Sequence, residues 1–355
     1  DSSVFRSSDS AGSRSWKDHL TWKRWRGEVA PAPSMMKRGI DATPEGLVCV
    51  GVEGLMSSQH GWPSLGAIEF EAVTLRYAVG TTPALQELSL KVPASKALLL
   101  VGPRASGKTS LLCSLLRLVP PEAGRVNLDS VDVRSVGIMT LRSRIAFVPQ
   151  DVVVFRGTWR RNLDPMEEFD EEQLRQVLRL TRLQNWLLQH ARHGLDELLP
   201  EGDALNSGIR SLLGLCRALL RLLQQRSKVL VLDRTTCRLS VASDGDITEL
   251  LLRFCRSREV VLLQVSRRLV QAPLYDLAAV MWGGHVVEEG SPQELWARNG
   301  PFCEMAREQG VDASHFTNPQ ALADRLMPMG SWEVNPQENP RWFDEFAVRM
   351  KARDV

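Results

Sequence analysis

The turn Gly102-Pro-Arg-Ala-Ser-Gly-Lys108-Thr109 follows directly on an unbroken apolar run, Ala97 to Val101, and leads into a segment with helical spacing, Ser106 to Val119. A GxxxxGK[ST] turn set between a buried strand and a helix has one well-understood physical use. Glycines let backbone N–H groups curl around a phosphate, and the helix N-terminus adds a favourable partial charge. Lys108 then reaches the outer phosphates and Thr109 ligates Mg²⁺. We read Gly102, Pro103, Arg104, Ala105, Ser106, Gly107, Lys108, Thr109 and Ser110 as the phosphate-binding residues of a nucleoside-triphosphate site. A second acidic element is needed to hold Mg²⁺, and the apolar run Val229 to Leu232 ends in Asp233.

The surrounding pattern alternates strands with helices. Ile68 to Leu75 alternates apolar and polar residues, whereas Ile145 to Val148, Val229 to Leu232 and Val260 to Leu263 are short apolar runs. Ala278 to Glu289 reads as a hairpin around Gly283 and Gly284. A helix-rich stretch over 159–223 interrupts the strands. This order predicts an α/β layered domain over 62–310 with an inserted helical portion. Residues 1–61 read as a linker or partly disordered arm rich in Ser, Gly and Pro, with Trp16, Trp22 and Trp25 among Lys17, Lys23, Arg24 and Arg26. That cluster suits either a solvated arm or a membrane surface. Residues 311–355 read as a polar extension with Trp332 and Trp342 and no assigned role.

Composition removes several function classes. With 44 Lys+Arg against 42 Asp+Glu the net charge is +2, which argues against a nucleic-acid partner. The cysteines (Cys49, Cys113, Cys216, Cys237, Cys255 and Cys303) show no CxxC spacing, so neither a zinc site nor a disulfide framework is expected and a reducing compartment fits. No apolar stretch reaches the roughly 20 residues that span a bilayer. The first residue is Asp1 and no signal-peptide core follows, which predicts a piece of a longer chain. His190 and His193 stand at i and i+3 on an expected helix but lack a third metal ligand in register. Ser207, Ser211 and Ser266 have no legible His and Asp partners for nucleophilic catalysis. Leucines between Leu174 and Leu188 are expected in the core.

The order of motifs resembles the nucleotide-binding domain of an ATP-binding cassette (ABC) transporter: a P-loop core with an antiparallel β subdomain and an inserted helical subdomain. Tyr77 stands where that family places an aromatic that stacks on adenine. Phe147-Val-Pro-Gln150 resembles the loop whose glutamine contacts Mg²⁺ and the attacking water. Leu205-Asn206-Ser207-Gly208, within Gly202 to Arg221, is similar to the signature segment. The runs Gly61 to Phe70, Leu141 to Arg144 and Phe155 to Pro165 resemble subfamily C, the multidrug-resistance-protein and sulfonylurea-receptor group, and its second, C-terminal nucleotide-binding domain. The resemblance implies ATP and Mg²⁺ as ligands, with Thr109, Gln150 and Asp233 holding the metal. It implies as partners a second nucleotide-binding domain and membrane-spanning domains upstream in the same polypeptide, with this domain on the cytoplasmic side. In the family's head-to-tail sandwich Asn206 would serve the partner's ATP site.

Departures from the family pattern fall on the groups that act on water. Arg234 stands where a glutamate polarises water, and a guanidinium accepts no proton. Ser266 replaces the switch histidine, Asn206 the signature serine, Ser240 the D-loop aspartate, and Ala105 the middle glycine of the phosphate loop. These substitutions predict ATP binding with little or no hydrolysis, in a regulatory or coupling half of a transporter, with Arg234 available to pair with the γ-phosphate. An active ATPase driving export, using another base, is the alternative, and a soluble ABC protein without membrane domains is a third reading that the subfamily C markers disfavour.

Overall fold

The computed structural model describes residues 61–199, 205–224 and 227–317. The arm expected over 1–61, with its tryptophans, and most of the extension expected over 311–355 lie outside the described residues. Strands β1 (Ile68–Leu75) and β2 (Leu85–Val92) come first, then β3 (Ala97–Val101), helix α1 (Lys108–Leu115), and the short strands β4 (Ala123–Leu128) and β5 (Val131–Asp132). Helix α2 (Ile138–Ser143) leads to β6 (Ile145–Val148), and a helical portion follows: α3 (Trp159–Leu163), α4 (Glu171–Leu180), α5 (Leu183–His190) and α6 (Ser207–Leu223). The chain returns to alternation with β7 (Val229–Asp233), α7 (Val241–Ser257), β8 (Val261–Val265), β9 (Leu277–Trp282) and β10 (His285–Gly290). It closes with α8 (Pro292–Ala297), α9 (Pro301–Glu308) and α10 (Ala313–Thr317).

A four-stranded sheet runs β2-β1-β4-β5, and a six-stranded sheet runs β10-β9-β3-β8-β7-β6. The first is antiparallel. The second is parallel except for the β9–β10 hairpin. This is the α/β layering with an antiparallel β portion and a helical insertion that the sequence predicts. The parallel strands read as unbroken apolar runs because both of their faces are covered. On β3, Ala97, Leu99 and Val101 enter one core while Leu98 and Leu100 enter the other, and β7 divides Leu230 and Leu232 from Val229 and Val231 in the same way. One core packs the sheet against α4, α5, α6 and α7. The other holds Leu111, Leu112 and Leu115 of α1 together with Phe70, Val73 and Leu88 of the antiparallel sheet. Leu174, Leu183 and Leu187 are buried as expected, but Leu188 is 74% exposed.

Two expectations need correction. The helix expected over Ser106 to Val119 is only α1, because Gly107 has φ 99° and Arg117 has φ 49°, conformations no α-helix contains. Arg117 holds its turn by donating from Nη1 to the Val133 and Val136 carbonyls at 3.1 and 2.5 Å. His190 and His193 do not share a helix: α5 ends at His190, and Ala191 is extended. The His190 ring lies 4.4 Å from Trp186, stacked upon it. Strands β2, β4 and β5 were not singled out by pattern. In β2 the alternation breaks at Glu87, with φ 45°, and in β4 only Val126 and Leu128 are buried.

Helix α6 crosses the sheet closely at Gly214, where a Cβ would stand 2.6 Å from Val152 Cγ2 and 3.0 Å from Val148 Cγ1. Gly214 therefore sets the spacing between α6 and β6, the strand that ends just before Gln150. We expect Gly214→Val to lower stability by about 1–3 kcal/mol through overpacking. Chemical denaturation would read this as a lower midpoint with an unchanged slope.

Candidate nucleotide site

The loop between β3 and α1 has a backbone that its glycines make possible. Gly102 has φ 141°, and a Cβ there would lie 2.2 Å from the Met281 carbonyl oxygen, so the neighbouring strand β9 leaves no space for a side chain. Ala105 adopts φ 59°, a left-handed conformation that costs a non-glycine residue about 1–2 kcal/mol. The loop is braced from outside. Gly284 N–H, at the tip of the β9–β10 hairpin, donates to the Ser106 carbonyl at 3.2 Å. Gln86 of β2 donates its own N–H to the Gly284 carbonyl at 3.1 Å and its side-chain amide to the Gly283 carbonyl at 3.0 Å. The hairpin thus ties the antiparallel sheet to the phosphate loop, a role not visible in the sequence.

Lys108 lies across this loop and is 7% exposed. Its ammonium donates to the Gly102 carbonyl at 3.0 Å, the Pro103 carbonyl at 2.6 Å and Ser106 Oγ at 2.7 Å. Burial pulls its pKa down to about 8, helped by the positive charges of Arg234 and Arg267 and opposed by Asp233. Arg267 is the site cation that motif reading passed over, since it follows Ser266 without matching any expected role. Arg104 and Ala105 are exposed, and Ser110 is buried. Tyr77, 56% exposed just beyond β1, shares a 3.0 Å hydrogen bond between its phenol and Ser110 Oγ. Its ring stands open beside the first turn of α1.

Parallel pairing sets Asp233 of β7 against Val265 of β8, so Asp233, Arg234 and Ser266 gather at the C-terminal ends of adjacent strands. Thr109 Oγ1 donates to Asp233 Oδ2 at 3.2 Å. Arg234 donates from Nε to Asp233 Oδ1 at 3.3 Å and from Nη2 to Thr109 Oγ1 at 3.4 Å. Its backbone has φ 52°, and its N–H donates to the Val265 carbonyl at 3.0 Å. Gln150 is half-buried just past β6, the strand paired with β7. Asp151, the next residue, is paired with Arg238.

The remaining expected residues serve local structure. Ser266 is buried and its Oγ accepts the Arg268 N–H at 3.0 Å. Arg268 in turn donates to Asp244 Oδ2 at 2.8 Å and to the Leu239 carbonyl at 2.8 Å, joining this segment to α7 and the loop before it. Ser240 caps α7 by accepting the Ser243 N–H at 3.2 Å. Asn206 caps α6 by accepting the Gly208 N–H at 2.8 Å; Leu205 and Gly208 are buried while Asn206 and Ser207 are exposed. Gly208 lies against Leu239 and the Arg238 carbonyl. Gly202 lies outside the described residues. Ser211 donates to the Ser207 carbonyl at 3.0 Å. Among the described residues no three His, Cys, Asp or Glu side chains cluster as a metal centre, and no helix is long and apolar enough to cross a membrane. The site can attract a polyanion, since Lys108 feels the positive charges of Arg234 and Arg267 with only Asp233 to oppose them. At the two expected water-activating positions it offers a guanidinium and a hydroxyl, neither of which is a base at neutral pH.

A family model described as ABC transporter matches residues 85–237. The "ABC-type transporter cctS" of Talaromyces islandicus is 37% identical over 70% of this chain and 16% of its own length. "ATP-binding cassette sub-family C member 2" of Mus musculus is 32% identical, and "Multidrug resistance protein mrp-7" of Caenorhabditis elegans 33% identical, each over 72% of this chain and 16% of its own length. The chain therefore spans about 16% of the length of these relatives. A solved "bacterial Atm1-family ABC exporter with ATP bound" superposes with TM-score 0.65 at 24% identity, covering 70% of this chain and 43% of that one, and shares the fold.

The depressed Lys108 has a consequence that binding experiments can read. A phosphate anion favours the charged ammonium, so above pH 8 the nucleotide must bind together with a proton. We expect affinity for a nucleoside triphosphate to fall as pH rises past about 8. Calorimetry at pH 9, in buffers of different ionisation enthalpy, should show uptake of close to one proton; uptake near zero would contradict it.

Proposed function

Given that the chain belongs to the ABC transporter family, we propose that it is an ATP-binding domain of a transmembrane transporter that binds ATP with little or no hydrolysis and acts as the ATP-dependent coupling or regulatory half. The observation that carries this reading is the division of the site. The groups expected to bind phosphate stand together on a braced loop, whereas Arg234 and Ser266 leave the attacking water without a base. General-base assistance is worth roughly 10²–10⁴-fold in rate. Tyr77 offers an adenine-stacking ring at the other end of the ligand. Such a domain works by holding a conformation, because ATP shifts an equilibrium by its differential affinity for two states.

On this reading the partners are a second nucleotide-binding domain and membrane-spanning domains, with this domain on the cytoplasmic side. Asn206 and Gly208 would face the partner domain's nucleotide, so both sites of the pair depart from the family pattern. The resemblance to subfamily C and the names of the relatives support this placement.

Incubating the full chain with ATP labelled on the γ-phosphate, and following bound label and released phosphate together, tests the proposal. We expect intact ATP to be retained, with phosphate release slower by about 10²–10⁴-fold than a glutamate-assisted reaction. Lys108→Ala should abolish retention. Steady phosphate release that disappears in Lys108→Ala would replace this reading with that of an active ATPase driving export.

A further inference from the structure

Of the three residues expected to hold a divalent cation, Thr109 and Asp233 are already bridged by a cation of the chain itself. Thr109 Oγ1 and Asp233 lie within 3.2 Å of each other, and the Arg234 guanidinium reaches both, at 3.4 Å from Thr109 Oγ1 and 3.3 Å from Asp233 Oδ1. The Asp233 side chain is 5% exposed, so its charge needs a partner inside the protein, and Arg234 is that partner. A metal placed between the same oxygens would have to share them with a permanent positive charge. The donor set is therefore a poor fit for Mg²⁺ while the guanidinium stays where it is.

Several features keep it there. Arg234 is anchored at its backbone, where its N–H is bonded to the Val265 carbonyl at 3.0 Å. The bond to Asp233 comes from Nε, close to the stem of the side chain, and not only from the flexible tip. Leaving would break both side-chain bonds and strand a buried carboxylate. A guanidinium has five N–H groups in a fixed fork, and those not used by Asp233 and Thr109 suit phosphate oxygens.

We propose that Arg234 takes the place of the divalent cation in this nucleotide site, so that the chain binds ATP without Mg²⁺. The proposal rests on the ATP-binding reading above and adds a requirement that the reading alone does not make. Arg234 supplies positive charge to the phosphates from a fixed position. It cannot exchange with solvent, and it responds neither to chelators nor to the supply of divalent ions.

The test is equilibrium dialysis of the full chain against labelled ATP, once with excess magnesium chloride and once with excess EDTA. For the unmutated chain we expect dissociation constants within about threefold of each other, whereas a loss of about tenfold or more in EDTA would overturn the proposal and leave the ATP-binding reading standing. Failure to bind ATP under both conditions would overturn both. Arg234→Gln and Arg234→Glu should each acquire metal dependence, with affinity in EDTA at least about tenfold below that in magnesium. A folded variant that binds ATP equally well in both would show that the guanidinium is not the cause. Thermal melting of each protein without nucleotide establishes which variants are folded, and the unmutated chain decides the question by itself if neither is.

Discussion

Burial of β3 between two cores is the constraint on which the site depends. Because its alternate side chains are claimed by opposite cores, the strand has no freedom to slide or rotate, and the loop that follows it is delivered at a fixed point. Parallel pairing with β8, and of β8 with β7, then carries Asp233 and Arg234 to the same level as Thr109. No functional side chain in this arrangement reaches far. Each is presented by the end of a strand or the first turn of a helix, where open α/β sheets place their ligands.

The electrostatics follow from that crowding. Three cations, Lys108, Arg234 and Arg267, share a neighbourhood with one buried carboxylate, and the mutual repulsion of this excess adds to the burial that lowers the pKa of Lys108. An anion brought to these groups would offset that repulsion. The same excess is unfavourable for any chemistry that needs a nearby base, since a carboxylate placed among these charges would be held in its ionised form and engaged by them. Binding and hydrolysis thus pull the composition of the site in opposite directions, and on the reading proposed above the balance lies with binding.

Much of this was legible in the sequence because it depends on short-range spacing. The phosphate loop, the apolar runs of β3, β6 and β7, and the turn at Gly283 and Gly284 are all encoded within a few neighbouring residues. The identity of Arg234 was legible as a missing base. Its contact with Thr109 was not, because the two are 125 positions apart and meet only through the strand order β3-β8-β7. Strand β2 is not legible from pattern because left-handed Glu87 breaks its alternation, and the end of α1 is not legible because the left-handed turn at Arg117 is sustained by carbonyls of a separate segment. Asn206, Ser240 and Ser266 read from the sequence as departures from the family pattern. Their bonds to nearby backbone N–H groups emerge only with the capping geometry.

The bracing hairpin gives the site a gauge. Gln86 of the antiparallel sheet, the tip at Gly283 and Gly284, and Ser106 of the phosphate loop form one continuous chain of hydrogen bonds. Tyr77, just beyond β1 of that antiparallel sheet, is pinned to α1 through Ser110. The Tyr77 ring and the Lys108 ammonium are thus both tied to the frame that joins the antiparallel sheet to the phosphate loop and α1. On the ATP-binding reading proposed above, a ligand would be measured between that ring and that ammonium, and a nucleotide one phosphate too short would leave one end of the gauge unfilled.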